Sequence, residues 1–196
     1  MGYYDDPRNV AQYIEMAVGY DGRALIEVLK QHLPAGATVL ELGMGPGKDL
    51  AILGETFIAT GSDVSQVFPD RYLAGHHGAD VFVLDAVALD TARTFEGIYS
   101  NKVLIHLGPA ALAASFRRQA AVLAPGGVAL HSFWVGEGVE TYHGLRSVYH
   151  TEKTLRAAVG DSLEIVDVMR YAETEAGDSL YLVVRRVARL ARADAE

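Results

Sequence analysis

The segment VLELGMGPGKDL at residues 39–50 places the tightest constraint on the fold of this chain. An apolar run of strand length leads directly into Gly43, Gly45 and Gly47, and residues that suit a helix follow. Glycine lets the backbone turn sharply and approach a ligand without a clashing Cβ atom. The segment therefore predicts a strand, a tight loop and a helix, which is a typical first unit of an α/β sheet.

Segments of strand length alternate with helical segments along most of the chain. We expect strands at 38–42, 56–61, 79–84, 97–100 and 128–134, helices at 8–18, 21–33, 46–54, 109–124 and 151–159, a short helix or loop at 65–75, a long loop at 134–150, and a final hairpin at 163–170 and 179–187. This alternation predicts a mostly parallel sheet that helices cover on both faces. We expect one domain over 1–196, with a helical lid region at 1–35, a core at 36–187 and a tail at 188–196.

Three acidic residues fall at the ends of three consecutive predicted strands. Glu41 lies on the first strand, where a buried position should be apolar, so its carboxylate needs a cationic partner or backbone donors. Asp63 follows about 20 residues later, where a carboxylate can accept both ribose hydroxyls of an adenosine. Asp85 ends the third strand, where it could bind an adenine amino group. Each acid alone could cap a helix or face solvent, but together they favour an adenosine-type ligand.

The composition narrows the possible chemistry. The 196 residues include no cysteine, which removes disulfides, thiolate metal sites and cysteine nucleophiles. The formal net charge of −8 provides no general attraction to nucleic acid or to anionic membranes. No apolar run reaches the ~18 residues that a membrane helix needs. We therefore expect a cytoplasmic monomer or homodimer that acts on a small molecule, with no metal site, nucleic-acid partner or membrane contact.

The ordered set of motifs resembles the class I S-adenosylmethionine-dependent methyltransferases. VLELGMGPG is similar to their first motif, GSDVS to the second and VLDAVAL to the third, while FEGIYSNKVLIHL resembles their fourth strand and the segment after it. The resemblance spans about residues 36–187. It implies an α/β, Rossmann-like three-layer sandwich with a seven-stranded, mostly parallel sheet, an antiparallel last strand and additional N-terminal helices.

The same resemblance implies S-adenosylmethionine as cofactor and S-adenosylhomocysteine as product. Asp63 would bind the ribose, Asp85 would lie beside the adenine, and Asn101 would line the methionine side. The full set of implied cofactor contacts is Glu41, Gly43, Met44, Gly45, Gly47, Asp63, Val64, Asp85, Ala86, Ser100 and Asn101. The fourth motif reads SNKV and not the D/N-P-P-Y of enzymes that methylate amino groups of DNA or protein glutamine. Direct in-line transfer to a small acceptor, or to a protein, remains.

The acceptor side is predicted from position alone. His106 is the candidate general base, since it follows the fourth strand at the ligand edge, and a capping or packing role is the alternative. Loops on a rigid scaffold often carry binding residues, so we expect the loop at 134–150 and the N-terminal tyrosines to select the acceptor. The candidates are Tyr4, Tyr13, Tyr20, Trp134, Tyr142, His143, Arg146 and Tyr149. Ordinary half-buried packing is the alternative for each tyrosine.

Two other functions stay open at this point. An NAD-dependent oxidoreductase could use the same sheet, although the glycine loop lacks the G-x-G-x-x-G spacing and little chain follows for a substrate domain. A non-catalytic relative could keep the motifs and bind the cofactor or a partner without turnover.

Overall fold

A computed structural model describes residues 3–16, 18–142 and 144–187. Within these residues, the α-helices are Pro7–Met16 (α1), Arg23–Leu29 (α2), Lys48–Gly54 (α3), Val67–Gly75 (α4), Pro109–Val122 (α5) and Glu152–Val159 (α6). The strands are Thr38–Leu42 (β1), Ile58–Asp63 (β2), Val81–Val83 (β3), Phe95–Asn101 (β4), Leu123–Trp134 (β5), Val139–Tyr142 (β6), Leu145–Val148 (β7), Leu163–Tyr171 (β8) and Ser179–Arg186 (β9). Two short 3-10 helices lie at Tyr3–Asp5 and Leu104–His106. The predicted tail at 188–196 lies outside the described residues.

Seven strands form one sheet in the order β3-β2-β1-β4-β5-β9-β8. The first five strands in the chain pair in parallel, and β9 lies antiparallel to both β5 and β8. The direction of strand order reverses between β1 and β4, and ligands bind at the carboxyl ends of strands beside such a reversal. The predicted Rossmann-like sandwich with an antiparallel last strand and N-terminal helices is confirmed.

Both faces of the sheet bury apolar side chains. Successive residues of a strand point to opposite faces, and Val39 and Leu40 of β1 accordingly belong to two different apolar clusters. Ile26 of α2 covers the Val39 face, whereas Phe116 of α5 covers the Leu40 face. Each such side chain contributes about 1.5–3 kcal/mol when it is fully buried. This packing holds the strand ends in fixed positions, which a binding site at that edge requires.

The segment at 134–150 differs from the prediction. We expected a loop, and this was wrong for most of its length, because β6 and β7 pair as an antiparallel hairpin in a separate two-stranded sheet. Gly144 at the turn has a φ of +85°, which suits a tight hairpin connection. The strands themselves gave little signal, because VETY and LRSV each have two adjacent polar residues and do not alternate.

Several element boundaries also differ from the predictions. The second strand, β2, begins at Ile58 and ends at Asp63, so this acid lies within the strand and not beyond it. Strand β5 begins at Leu123, where we expected the preceding helix to continue. Gly126 takes a φ of +76° inside β5, and this irregular backbone lets the strand pass through a sequence that normally breaks structure.

No helix in the described part of the chain has the length and apolar character needed to cross a membrane.

Candidate functional site

The loop between β1 and α3 has a backbone that glycine alone accommodates well. Gly43, Gly45 and Gly47 have φ values of +65°, +49° and +84°. A Cβ atom at Gly43 would collide with Val103, and one at Gly47 would collide with the ring of Tyr72. Left-handed backbone and close approach thus both require glycine at these two positions. The loop can consequently present its main chain at the carboxyl edge of the sheet.

Glu41 lies beside this loop in a fully enclosed position. The residue is 3% exposed, and its Oε2 atom has no hydrogen-bond partner among the described residues. Burial, and then the nearby carboxylates of Asp49 and Asp63, raise the pKa of Glu41 well above its usual range. An unpaired carboxylate inside a protein is costly. The position therefore favours a ligand that brings a positive charge to Oε2.

Asp63 joins the glycine loop to β2. Its Oδ2 atom accepts a hydrogen bond from the Gly45 amide at 3.1 Å, and its Oδ1 atom accepts one from the Ser65 amide at 3.0 Å. Burial raises the pKa of Asp63, and these backbone donors oppose that shift. Each carboxylate oxygen can accept a further hydrogen bond. Asp63 is thus oriented by the main chain and keeps acceptor capacity for two hydroxyl groups.

Asp49, which was not among the residues predicted from the sequence, connects three elements around the same site. Its Oδ1 atom accepts from the Gly22 amide at 2.7 Å, and its Oδ2 atom accepts from the Tyr99 hydroxyl at 2.8 Å and the Asn101 amide at 3.2 Å. The Asn101 Oδ1 atom accepts in turn from Ser132 at 2.6 Å. The side chain of Asn101 is therefore fixed in one orientation. An acid in the first turn after a glycine loop was the available signal.

Two adjoining cavities open along this edge of the sheet, with volumes of about 450 Å³ and 460 Å³. They share five wall residues, which are Tyr13, Gly43, Asn101, Lys102 and Trp134. The other residues that matter for the first cavity are Tyr20, Asp21, Glu41, Asp49 and Glu173. Those of the second are Tyr3, Tyr4, Asp63, Val64, Asp85, Ala86, Val103, His106, Leu145 and Ser147. Volumes of this size are usual for cofactor and ligand sites.

Asp85 shapes the turn that follows β3. Its Oδ1 atom accepts hydrogen bonds from the amides of Val87 and Ala88. Ala86, which follows Asp85 directly, lines the second cavity, as does the largely exposed Val64. Asp85 thus has the turn-capping bonds that were its alternative role, and it also lies on the cavity wall.

The structure does not bring every predicted cofactor residue to a cavity wall. Met44 is buried in the core, and its amide donates to the carbonyl of Ser62 at 2.8 Å. Gly45 and Gly47 shape the loop without lining either cavity. Ser100 is fully buried, and its hydroxyl lies 2.7 Å from Nδ1 of His131. These residues contribute to the loop and the core next to the cavities and do not line the cavities themselves.

Lys102 was not a candidate from sequence, yet it lies in the wall between the two cavities. Its backbone is left-handed with a φ of +55°, which is uncommon for a residue with a side chain. The ammonium donates to the Phe133 carbonyl at 3.1 Å and to Ser179 at 2.6 Å, and it lies 3.0 Å from Glu173. It also lies 3.6 Å from the centre of the Trp134 ring. With three N–H donors engaged, Lys102 is part of the wall and is not a free amine.

His106 lies in the wall of the second cavity, and its ring has a defined tautomer. The Nδ1 atom is 2.6 Å from the carbonyl oxygen of Arg146. A carbonyl can only accept, so Nδ1 carries the proton and Nε2 is the acceptor of the neutral ring. Burial lowers the pKa of His106. The imidazole is therefore neutral near pH 7, which is the state that a general base requires.

The N-terminal tyrosines pack over the second cavity. The rings of Tyr4 and Tyr13 are 5.4 Å apart, and both contact Phe68 at 5.6 Å and 6.1 Å. The Ser65 hydroxyl donates to the carbonyl of Tyr4 at 2.7 Å. Burial raises the pKa values of Tyr4 and Tyr13, so both phenols are neutral. The hydrogen bond from Ser65 holds Tyr4 in the wall that also contains Asp63, whereas Tyr20 lines the first cavity.

Some of the candidate acceptor-binding residues in 134–150 lie at a cavity wall, and others do not. Trp134 lines both cavities, and Arg146 contributes its carbonyl to His106. The Tyr149 hydroxyl donates to Glu140 at 2.8 Å and lines neither cavity. Tyr142 ends β6, and His143 lies outside the described residues. Leu145 and Ser147, which were not candidates, are the hairpin residues in the wall.

Comparison with known proteins agrees with this geometry. The profile of a family described as a methyltransferase domain matches residues 13–158. No curated protein matches the chain significantly. Among solved structures, S-adenosylmethionine-bound CalS10 from Micromonospora echinaspora, an amino pentose methyltransferase involved in calicheamicin biosynthesis, is 17% identical, with 91% of this chain and 97% of that chain covered and a TM-score of 0.72.

Two further neighbours show the same fold. An S-adenosylmethionine-dependent methyltransferase from Clostridium acetobutylicum is 14% identical, with 93% of this chain and 100% of that chain covered and a TM-score of 0.72. DesVI from Streptomyces venezuelae is 17% identical, with 93% and 99% covered and a TM-score of 0.70. Since the family profile spans most of the chain and the glycine loop and sheet order agree with it, this protein belongs to the class I S-adenosylmethionine-dependent methyltransferases.

Proposed function

We propose that this protein transfers the methyl group of S-adenosylmethionine to a small-molecule acceptor by direct in-line transfer. The observation that carries the proposal is the buried, unpaired Oε2 atom of Glu41, a residue that lines the first cavity. It supports binding of the cofactor's α-ammonium there, between Gly43 and Asn101. The adenosine would then extend into the second cavity.

The proposed adenosine position uses residues that are already oriented. Asp63 would accept the two ribose hydroxyls while it holds the amides of Gly45 and Ser65. Asp85 and Ala86, which both line the second cavity, would lie beside the adenine. A site whose polar groups are fixed before binding loses little entropy when the ligand arrives. The same orientation would fix the reactive end of the cofactor near Asn101 and Trp134.

S-adenosylmethionine supplies a methyl group that is already activated on its sulfonium, so the protein's main contribution is alignment. Good alignment of the acceptor can lower the barrier by about 7–11 kcal/mol. Trp134, Leu145 and Ser147 also line the second cavity and would hold the acceptor. Nε2 of His106 would accept a proton from a hydroxyl acceptor, whereas a neutral amine acceptor would need no base to attack.

One structural neighbour supports a proposal for the acceptor class. CalS10 is an amino pentose methyltransferase, and an acceptor with one ring of that size is in keeping with cavities of about 450 Å³. We therefore propose a compact acceptor with a hydroxyl or amino group.

The N-terminal residues 3–16 would act as a lid through Tyr4 and Tyr13. A single domain, a cytoplasmic location and a monomeric or homodimeric state stay predictions from the sequence.

Two measurements on the purified protein test the proposal. Calorimetry with S-adenosylhomocysteine should show binding, and Asp63→Asn should weaken it strongly. Glu164→Gln, at an exposed carboxylate of β8, is the matched control and should bind as the wild type does. Release of S-adenosylhomocysteine in a screen of amino sugars, sugars, phenols and amines should then identify the acceptor. Absence of binding by the wild type at millimolar ligand would refute the proposal.

A further inference from the structure

A chain of hydrogen bonds crosses the interior from β4 to the turn after β3. The Ser100 hydroxyl lies 2.7 Å from Nδ1 of His131, and Nε2 of that ring lies 2.8 Å from Oε1 of Gln119. The Gln119 amide donates to the Ser115 hydroxyl at 3.1 Å, which donates to the carbonyl of Ala86 at 2.6 Å. All four side chains belong to residues that are 0% exposed. We call this path the buried chain.

The Ala86 end fixes the direction of every bond in the buried chain. A carbonyl oxygen only accepts, so Ser115 must donate to it and accept from the amide nitrogen of Gln119. The amide oxygen then faces His131, so Nε2 carries the ring proton and Nδ1 accepts from Ser100. Burial lowers the pKa of His131 to about 3, and the neutral ring that this arrangement requires is therefore the stable one. Every hydrogen bond of the buried chain therefore has one direction only.

Stability alone does not require a polar path at this place. The surroundings are apolar, and the ring of Phe116 lies 5.8 Å from that of His131. When both partners of a buried hydrogen bond are replaced by apolar groups of similar shape, stability can be almost unchanged. The end of the path is therefore the informative part. It holds one carbonyl, that of Ala86, in the wall of the second cavity.

The turn that receives this bond has a strained backbone. Leu89 is fully buried and has a φ of +38°, a conformation that is costly for a residue with a side chain. Helix α5 holds the turn at two more points, because Arg118 donates to the carbonyls of Ala88 at 2.8 Å and Leu89 at 3.0 Å. Helix α5 thus holds this turn through Ser115 and Arg118, in addition to the bonds that Asp85 makes within it.

We propose that Ser115, oriented by Gln119, His131 and Ser100, is a positioning residue for the adenine end of the cofactor. The hydrogen bond keeps the Ala86 carbonyl turned into the protein, so that the cavity presents a flat apolar edge beside Asp85. A carbonyl released from this bond would rotate towards the cavity and crowd the adenine. This inference rests on the adenine position given in the proposed function.

Calorimetry with S-adenosylhomocysteine and 5′-methylthioadenosine tests the inference, because both contain the adenosine and only the first contains the amino acid. Ser115→Ala should weaken both ligands by the same factor, about two- to tenfold, which corresponds to one hydrogen bond. A double variant, Gln119→Leu with His131→Leu, keeps the Ser115 hydroxyl without its fixed direction and should show a smaller loss for both ligands. It also provides a second test if Ser115→Ala folds poorly.

Val184→Ala, at a fully buried position of β9, is the control for loss of core packing. It should lower the melting temperature and bind both ligands as the wild type does. Unchanged affinity for both ligands in Ser115→Ala and in the double variant would overturn the inference, as would a loss confined to S-adenosylhomocysteine. A wild type that binds neither ligand would instead overturn the proposed function, and this inference with it.

Discussion

Glu41→Gln should change cofactor affinity and the stability of the free protein in opposite directions. The side chain keeps its size and loses its charge, so the ligand's ammonium loses an ionic hydrogen bond. Such a bond contributes about 1.5–3 kcal/mol, which corresponds to roughly a 12- to 150-fold weaker Kd for S-adenosylhomocysteine. In the free protein, the same change removes a buried, unpaired carboxylate beside two others. The free variant should therefore be at least as stable as the wild type.

The pH dependence of the unfolding free energy provides a second test of the effect of Glu41 on stability. Because the pKa of Glu41 is raised in the folded state, the folded protein holds this proton more tightly than the unfolded chain does. Its contribution to stability is complete below the ordinary glutamate pKa and is lost as the pH rises through the raised one. The loss has a slope of at most about 1.4 kcal/mol per pH unit. Denaturant unfolding across this range should show the slope in the wild type and not in Glu41→Gln.

Ligand binding should also release this proton, since an ammonium beside Oε2 favours the ionised carboxylate. Calorimetry in buffers of different ionisation enthalpy measures that release directly, and Glu41→Gln is the matched control without it. The proposed role of Glu41 is refuted if Glu41→Gln binds S-adenosylhomocysteine as tightly as the wild type, or if the variant is less stable than the wild type at high pH. Either result would mean that the carboxylate has a partner within the protein.

Three further changes test other parts of the site. His106→Ala should slow transfer to a hydroxyl acceptor by about 10²–10⁴-fold and leave the affinity for S-adenosylhomocysteine unchanged. Because burial lowers the pKa of His106, the wild-type rate should fall only at pH values below the usual imidazole pKa. Equal rates for the wild type and His106→Ala would exclude His106 as the base. Lys102→Met should reduce unfolding free energy by about 1–3 kcal/mol, because Glu173 and Ser179 lose the ammonium; an unchanged denaturation midpoint would contradict this. Gly47→Ala should cost about 1–3 kcal/mol through left-handed backbone and contact with Tyr72, measured by thermal unfolding, whereas Gly54→Ala, with open space around it, should not.

The parts of the fold that follow from local patterns were predictable. Strand β1 lies at the predicted residues 38–42, because a short apolar run before a glycine loop allows few alternatives. The acids Glu41 and Asp63 could be named for the same reason, since their spacing along the chain sets their place at the sheet edge. The β6–β7 hairpin was read as loop, because its strands are four residues long and neither alternates between apolar and polar residues.

The residues that could not be predicted depend on contacts between distant parts of the chain. Lys102 finds Ser179 only after β9 is inserted beside β5. Glu173 reaches the first cavity from the turn of the final hairpin, which lies far along the sequence from the glycine loop. Ser100 illustrates the converse case. Its position next to Asn101 matched the expected cofactor edge, but the alternation of strand side chains directs its hydroxyl to His131.

The separation of the β6–β7 hairpin from the main sheet has a consequence for how this enzyme could diverge. The hairpin forms its own sheet and reaches the cavity wall through Leu145 and Ser147, while the carbonyl of Arg146 holds His106. Glu41 and Asp63 lie on strands that do not pair with it. Under the proposed function, acceptor choice would therefore depend on the separate hairpin, and cofactor binding would depend on the main sheet. Hairpins from related enzymes could be grafted between Val135 and His150, where a single bridge closes the insertion.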